Sequence, residues 1–290
     1  MLLGIKIGCQ LPQGTVDFEQ LAEIAQECER LGYDSVWAYD HLSPFWTKHG
    51  HALECWTLLA AIAQSTNRIK LGSLVTNVNL RNPALLAKMT STLDNISQGR
   101  IIIGLGTGDR MSQDELQSYG YNFPGLDERL GRLRETILIL KSMWTDPETS
   151  FKGKYYSLSN AINSPKPVQK PRPPIWVGGK HRKILDVVAE MADGWNYWGL
   201  EQRILAQRTQ YLQAKCEQLG RRPEEITKSW AGALHDLFQT GDTRSMIFDK
   251  VKAELKNQAS YGTKYLIASF GPRAELWWYK VFAEAARSLN

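Results

Sequence analysis

Asp40 and His41 form the pair of residues best suited to proton transfer in this sequence. Histidine has an ordinary pKa of about 6.5, so it can accept and return a proton near neutral pH. The carboxylate of Asp40 could orient the imidazole ring or contact a ligand, although neighbouring side chains in an extended segment point in different directions. A capping role in a loop is the alternative interpretation of the pair. Asp109, which follows Gly108, is a further candidate acid or, alternatively, a turn residue.

Two glycine-containing turns could hold a phosphorylated ligand, namely Gly106-Thr107-Gly108 and Gly178-Gly179-Lys180. Glycines at a strand-to-helix turn let the backbone approach a phosphate, and the N–H groups at a helix start bind anions. The second turn continues into the basic segment 180–183. Cations at a helix start oppose the helix dipole, which is easier to explain if an anion binds there. A tight connection without a ligand is the alternative for both turns.

Other reaction classes lack their usual residues. Metal-dependent barrel hydrolases place His-x-His at the end of the first strand, where this chain has Cys9-Gln10. We find no His/Cys cluster with zinc spacing and no Gly-x-Ser-x-Gly elbow, so no metal and no serine nucleophile are predicted. The cysteines lack Cys-x-x-Cys spacing and are predicted to be reduced core thiols; they are Cys9, Cys28, Cys55 and Cys216.

The elements that must position these candidates alternate between strand and helix. Residues 68–110 show the unit most clearly, with a strand at 69–76, a helix from Pro83 to Ile96 and a strand at 100–106. Eight such units without a composition break predict one domain, residues 1–290, folded as a (β/α)8 TIM barrel. A doubly wound open sheet is the alternative. In either fold the carboxyl ends of the parallel strands share one side, where the candidate residues would meet.

Several predicted connections depart from the regular strand–helix alternation. A small hairpin at 151–158 and a proline-rich loop at 164–174 should lie between helix four and strand five, on the face away from the chemistry. Residues 107–126 are predicted to be a loop. The eighth helix is expected to begin at about Arg273.

Composition excludes several classes of protein. Hydrophobic residues make up 43% and charged residues 22% of the chain, as in a globular domain. The net charge of +5 does not come from a basic tail and does not predict nucleic-acid binding. No apolar run approaches the ~20 residues of a membrane span, and the opening segment is too short for a signal sequence, so a cytoplasmic protein is expected.

Several segments together resemble the bacterial luciferase-like superfamily, particularly its deazaflavin (coenzyme F420)-dependent oxidoreductases. The resemblance runs from Gly4 to about Trp198 and is weaker beyond. Its strongest segments are 32–41, 66–76, 81–84, 92–100, 104–108 and 174–179. The resemblance implies a TIM barrel, commonly a homodimer, that transfers a hydride between a small organic substrate and C5 of the deazaflavin.

The resemblance also implies roles for individual residues. His41 would be the proton acceptor, Asp40 a ring-contacting acid and Asp109 an acid near the polar edge of the ring. The peptide bond Leu74–Val75 would be cis and would form a bulge behind the ring. The implied cofactor-binding residues are Asp40, Leu74, Val75, Thr76, Gly106, Thr107, Gly108, Gly178, Gly179 and Lys180.

Two departures from the family pattern concern the substrate. The branch that oxidises glucose 6-phosphate has a phosphate-binding lysine just after strand six, where this chain has Tyr197-Trp-Gly-Leu200. Asp109 stands where that branch has a longer acid. An uncharged alcohol, carbonyl or conjugated enone is therefore expected. The alternatives are a flavin mononucleotide (FMN)-dependent monooxygenase that uses dioxygen, and a barrel that binds a flavin-like ligand without turnover.

Overall fold

The computed structural model describes residues 4–44, 50–239, 241–271 and 275–290. In these ranges the strands are β1 (Lys6–Gln10), β2 (Ser35–Ala38), β3 (Lys70–Ser73), β4 (Thr76–Asn77), β5 (Ile101–Gly106), β6 (Thr149–Lys152), β7 (Ser157–Ala161), β8 (Ile175–Gly178), β9 (Gly194–Trp198), β10 (Thr227–Ala233) and β11 (Tyr265–Ser269). The α-helices are α1 (Phe18–Arg30), α2 (Cys55–Ser65), α3 (Pro83–Ile96), α4 (Arg110–Ser118), α5 (Leu126–Thr145), α6 (Arg182–Met191), α7 (Gln202–Gln218), α8 (Arg244–Ser260) and α9 (Leu276–Arg287).

The parallel strands close into a barrel, which confirms the predicted TIM-barrel fold. Their order is β3-β2-β1-β11-β10-β9-β8-β5, and pairing of β3 with β5 completes the circle. This last pairing rules out the open-sheet alternative, because an open sheet leaves two strands with an unpaired edge. The strand β5 is buried along its whole length, as expected for a strand covered by a helix on one face and by the barrel interior on the other.

The third barrel strand is interrupted at its carboxyl end. The peptide bond between Leu74 and Val75 is cis, as the resemblance implied. After this bond the chain resumes as β4, which pairs with the last two residues of β5. The interruption separates β3 from β4 and places Val75 at the end of the barrel where the strands terminate.

Local sequence signals set several helix boundaries as predicted. Asp17 caps α1 in a capping box with Gln20, and Gly32 follows the helix with φ +76°. Asn82 caps α3, and Pro83 occupies its first turn, where the missing N–H costs nothing. These residues act through neighbours in the sequence, which is why they could be recognised without the fold.

One predicted connection was wrong. The segment 107–126 is not one loop, because residues 110–118 form α4, which is capped by Asp109. The helix predicted from about Arg273 is described as α9 from Leu276, and Arg273 itself lies outside the described ranges. The antiparallel hairpin of β6 and β7 is present between α5 and β8, as predicted.

The barrel interior contains packed aromatic side chains together with aliphatic ones. The rings of Trp37 and Trp176 lie 5.0 Å apart, and Tyr265 packs edge-on against Trp176 at 5.1 Å.

The proline-rich segment lies at the amino-terminal end of the barrel, since Gln169 donates to the carbonyl of Ile101, the first residue of β5. All four cysteines are free and buried, as predicted.

Candidate active site

The ends of β2, β4, β5 and β8 bring the predicted site residues to one rim of the barrel. The chain leaves β2 at Asp40 and His41, and the backbone N–H of Asn77 at the end of β4 donates to Asp40 Oδ2 at 3.0 Å. Gly106 pairs with Asn77 across β4 and β5. Parallel strands that end together place these loops at the carboxyl-terminal face, where barrel enzymes carry their chemistry.

The Asp40 carboxylate is bound by Arg81, a residue for which no role was predicted. Arg81 Nη1 and Nη2 donate to the two Asp40 oxygens at 2.6 and 2.9 Å, and Nη2 also contacts Glu54. Burial raises the pKa of Asp40, and the hydrogen bonds from Arg81 oppose that shift. Because Glu54 caps α2 and Arg81 directly precedes the cap of α3, this network ties the end of β2 to two helix starts.

His41 is held by Glu115, the second residue that sequence reasoning missed. The ring nitrogen Nδ1 lies 2.9 Å from Glu115 Oε2. The other carboxylate oxygen, Oε1, accepts from the backbone N–H groups of Leu42 and Ser43 at 2.6 and 2.7 Å and from the Ser43 hydroxyl at 3.0 Å. Burial raises the pKa of Glu115, but the hydrogen bonds from His41 and from this loop outweigh burial and lower it overall. Glu115, rather than the adjacent Asp40, therefore orients the imidazole.

Val75 forms an apolar wall at the rim, and glycines make room for it. A Cβ atom on Gly106 would lie 2.4 Å from Val75 Cγ2, and one on Gly178 would lie 2.8 Å from Val75 Cγ1. Both distances are too short for carbon atoms, so these strand ends must remain glycine for the valine to sit where it does. The glycines therefore have a packing role that the phosphate interpretation did not include.

Asp109 has a structural partner in this conformation. Its Oδ1 accepts from the Ser112 N–H at 2.9 Å and from the Ser112 hydroxyl at 3.0 Å, which caps α4. Gly108 precedes it with φ +73°, a conformation that favours glycine. The Thr107 carbonyl accepts from the Asn79 amide at 3.0 Å and from Arg129 at 2.9 Å. This turn is thus fixed from two sides.

The turn after β8 is also fixed by neighbouring side chains. The Gly179 carbonyl accepts from Trp195 Nε1 at 2.8 Å, and the Lys180 carbonyl accepts from Arg208 at 2.6 Å. Lys180 Nζ lies 3.3 Å from Glu201, and both side chains are about half exposed. The first turn of α6 contains no acidic residue, but the Lys183 N–H donates to the His181 ring and the Lys183 ammonium pairs with Asp127. An anion at this helix start would replace these partners.

The predicted cofactor-binding residues differ in accessibility. Leu74, Thr76, Gly106 and Thr107 are buried, whereas Val75, Gly108, Gly178 and Gly179 are half-buried and Lys180 is exposed. The exposed fraction of Trp198 at the end of β9 is 38%, which makes it an aromatic surface at the same rim. A ligand at this rim would therefore contact the half-buried and exposed residues and Trp198 before it reached the buried ones.

The missed residues left little trace in the sequence. Arg81 belongs to a segment that carried the family resemblance, but its partner Asp40 is 41 residues away. Glu115 lies 74 residues from His41, on a helix that was not predicted. Neither pair has a local spacing rule that could have revealed it.

In the described part of the chain, no group of three or more His, Cys, Asp or Glu side chains is placed to hold a metal ion. None of the helices in the same residues combines the length and apolar character needed to cross a bilayer.

Comparison with known proteins adds named relatives. The chain is 34% identical over 177 residues to an F420-dependent glucose-6-phosphate dehydrogenase of Kineococcus radiotolerans, covering 61% of this chain and 51% of the relative. It is 31% identical over 190 residues to an F420-dependent hydroxymycolic acid dehydrogenase of Mycobacterium tuberculosis, covering 65% and 51%. The chain therefore spans about half the length of these curated relatives.

Solved structures share the fold at lower identity. An F420-dependent secondary alcohol dehydrogenase in complex with an F420-acetone adduct superposes with a TM-score of 0.86 at 17% identity, covering 99% of both chains. The family model described as luciferase-like monooxygenase matches residues 1–285. Because this match covers nearly the whole sequence, the chain belongs to the luciferase-like monooxygenase family.

Proposed function

We propose that this protein is an F420-dependent oxidoreductase that transfers a hydride between the deazaflavin and a small organic substrate. The proposal rests on one observation: the Glu115 carboxylate holds His41 at the rim where Val75 presents an apolar side chain. An oriented histidine at the same rim as an apolar side chain suits a reaction in which a substrate hydroxyl loses a proton. The F420-dependent relatives support the choice of cofactor.

The residues at the rim fit a planar cofactor with an anionic tail. Gly106 and Gly178 project no side chain past Val75, so a ring could lie flat against the valine. A phosphate at the start of α6 would replace Glu201 as the partner of Lys180 and would accept from the helix N–H groups. We therefore propose that Val75, Gly108 and the 178–180 turn contact the cofactor, with Asp40, Leu74, Thr76, Gly106 and Thr107 supporting them from behind.

The chain's own residues would control the proton and the geometry. Bound F420 supplies the two-electron chemistry at its C5 atom. His41 would accept the hydroxyl proton during oxidation of an alcohol and return it in the reverse direction. Arg81 holds Asp40 in one orientation next to the Asn77 backbone, which fixes the loop that carries His41. Asp109 would lie at the polar edge of the ring while its Oδ1 atom remains in the cap of α4.

We further propose that the substrate is an uncharged alcohol, carbonyl or enone. At the end of β9 the chain presents Trp198, and the Tyr197 hydroxyl donates to the Glu201 carboxylate at 3.1 Å. A phosphate placed here would meet an aromatic ring and a carboxylate, which is an unfavourable environment for a dianion.

The proposed function predicts that purified protein reduces F420 with uncharged secondary alcohols. Loss of the absorbance of oxidised F420 should give a kcat/KM at least about 100-fold higher for these alcohols than for glucose 6-phosphate, since an unpaired charge is strongly rejected. Glucose serves as the matched control for the phosphate group. Turnover confined to phosphorylated sugars would contradict the substrate proposal while leaving the cofactor proposal intact.

We also propose that the protein acts as a cytoplasmic homodimer without a nucleic-acid partner. Leu85 and Ile96 are exposed on α3, 55% and 40% respectively. They are eleven positions apart, so they lie on one face of the helix, which a second subunit could cover. The mild net charge of +5 gives no reason to propose a nucleic-acid surface.

A further inference from the structure

We infer that Glu115 is a positioning residue that fixes the proton of neutral His41 on Nδ1 and so presents Nε2 as the proton acceptor. The catalytic consequence rests on the proposed function, whereas the tautomer itself is a property of the protein alone. The family resemblance implied no role for Glu115, which α4 brings to His41.

The inference rests on the different hydrogen-bond partners of the two Glu115 carboxylate oxygens. Oε1 receives three hydrogen bonds from the loop that follows His41, two of them from backbone N–H groups. Oε2 faces His41 Nδ1 at 2.9 Å. The side chain of Glu115 is only 6% exposed, so water competes little for either oxygen. The loop therefore determines which oxygen meets the histidine.

An ionised carboxylate can only accept hydrogen bonds, so the imidazole nitrogen that faces it must be the donor. The lowered pKa of Glu115 keeps the carboxylate ionised at neutral pH. In neutral imidazole one nitrogen donates and the other accepts. A proton held on Nδ1 thus leaves the lone pair on Nε2, which is the state needed to remove a proton from an alcohol.

The variant Glu115→Gln reverses this arrangement without releasing the loop. The amide oxygen can replace Oε1 and accept the same backbone N–H groups. The amide NH2 then replaces Oε2 and presents a donor to His41 Nδ1, which must become the acceptor. The opposite amide orientation would point NH2 at two backbone donors and lose their hydrogen bonds, so it is disfavoured.

Nuclear magnetic resonance of protein with isotope-labelled histidine tests the inference directly. The chain has five histidines, and the His41 signals are identified by their absence in His41→Asn. At a pH of about 9, well above the ordinary histidine pKa, wild type should show the Nδ1–H tautomer and Glu115→Gln the Nε2–H tautomer. Asp114→Asn removes an exposed carboxylate next to Glu115 on α4 and should leave the wild-type pattern unchanged.

Kinetics connect the tautomer to the proposed reaction. Glu115→Gln should lower kcat about 100-fold with F420 affinity within about threefold, because proton transfer rather than binding is affected. An Nε2–H tautomer in wild type, the same tautomer in both proteins, or an equal change in Asp114→Asn would overturn the inference. The expected tautomers in a protein that never reduces F420 would uphold the positioning role and contradict the proposed function.

Discussion

Replacement of His41 by alanine is expected to lower kcat by about 10²- to 10⁴-fold, the usual contribution of a general acid or base. The ring should be needed for proton transfer but not for holding the deazaflavin, whose proposed contacts lie on Val75 and on the turns after β5 and β8. The dissociation constant for F420 should therefore stay within about threefold, since an interaction used only in the transition state changes rate rather than binding.

The matched control for this variant is His51→Ala. His51 is exposed and contacts the Val16 carbonyl at 2.8 Å rather than a carboxylate. Steady-state reduction of F420 and fluorescence titration of the same preparations give kcat and affinity separately. If both His41→Ala and wild type bound F420 and neither reduced it, the protein would be a ligand-binding barrel. If His41→Ala kept its full rate, another group would have to handle the proton.

The second large effect concerns stability. We expect Arg81→Leu to lower the free energy of unfolding by about 3–5 kcal/mol, because it leaves the buried Asp40 carboxylate without its counter-ion. The side chains of Asp40 and Arg81 are only 1% and 11% exposed, so solvent compensates little. Chemical denaturation followed by tryptophan fluorescence measures the change. A loss below about 1 kcal/mol would show that Asp40 does not depend on this pair.

Two further variants separate the charge effect from lost packing. Arg30→Leu breaks an exposed ion pair with Glu27 and should leave the denaturation midpoint close to that of wild type. Asp40→Asn combined with Arg81→Leu should recover part of the loss, since no buried charge remains. Burial already raises the pKa of Asp40, and loss of Arg81 raises it further. The loss in free energy of unfolding caused by Arg81→Leu should therefore become smaller as the pH falls and Asp40 is protonated.

The fold could be predicted because its signals are local or periodic. Apolar strands such as β5 alternate with amphipathic helices, and the caps at Asp17 and Asn82 act on residues two or three positions away. The cis bond at Leu74–Val75 followed from the family resemblance, not from the residue types. The hydrophobic periodicity was thus sufficient to predict the barrel architecture. It was not sufficient to predict the break between β3 and β4 at the rim.

The partners within the site could not be predicted because they depend on tertiary contacts. The helix α4 has few buried residues and no apolar stripe, so its sequence resembled a loop. Without that helix, nothing placed Glu115 near His41. The adjacent Asp40 was the obvious candidate to orient the imidazole. In the structure, however, Asp40 binds Arg81 and Glu115 contacts His41.

Fluorescence titration of the purified protein with F420 and with FMN tests most directly whether this rim holds a deazaflavin. The account predicts saturable F420 binding and FMN binding at least about 100-fold weaker, a difference of roughly 2.7 kcal/mol. Preferential binding of FMN, with dioxygen consumed by the reduced flavin, would contradict it and would favour a monooxygenase. Binding of neither compound would remove the basis for assigning the rim to any flavin-like cofactor.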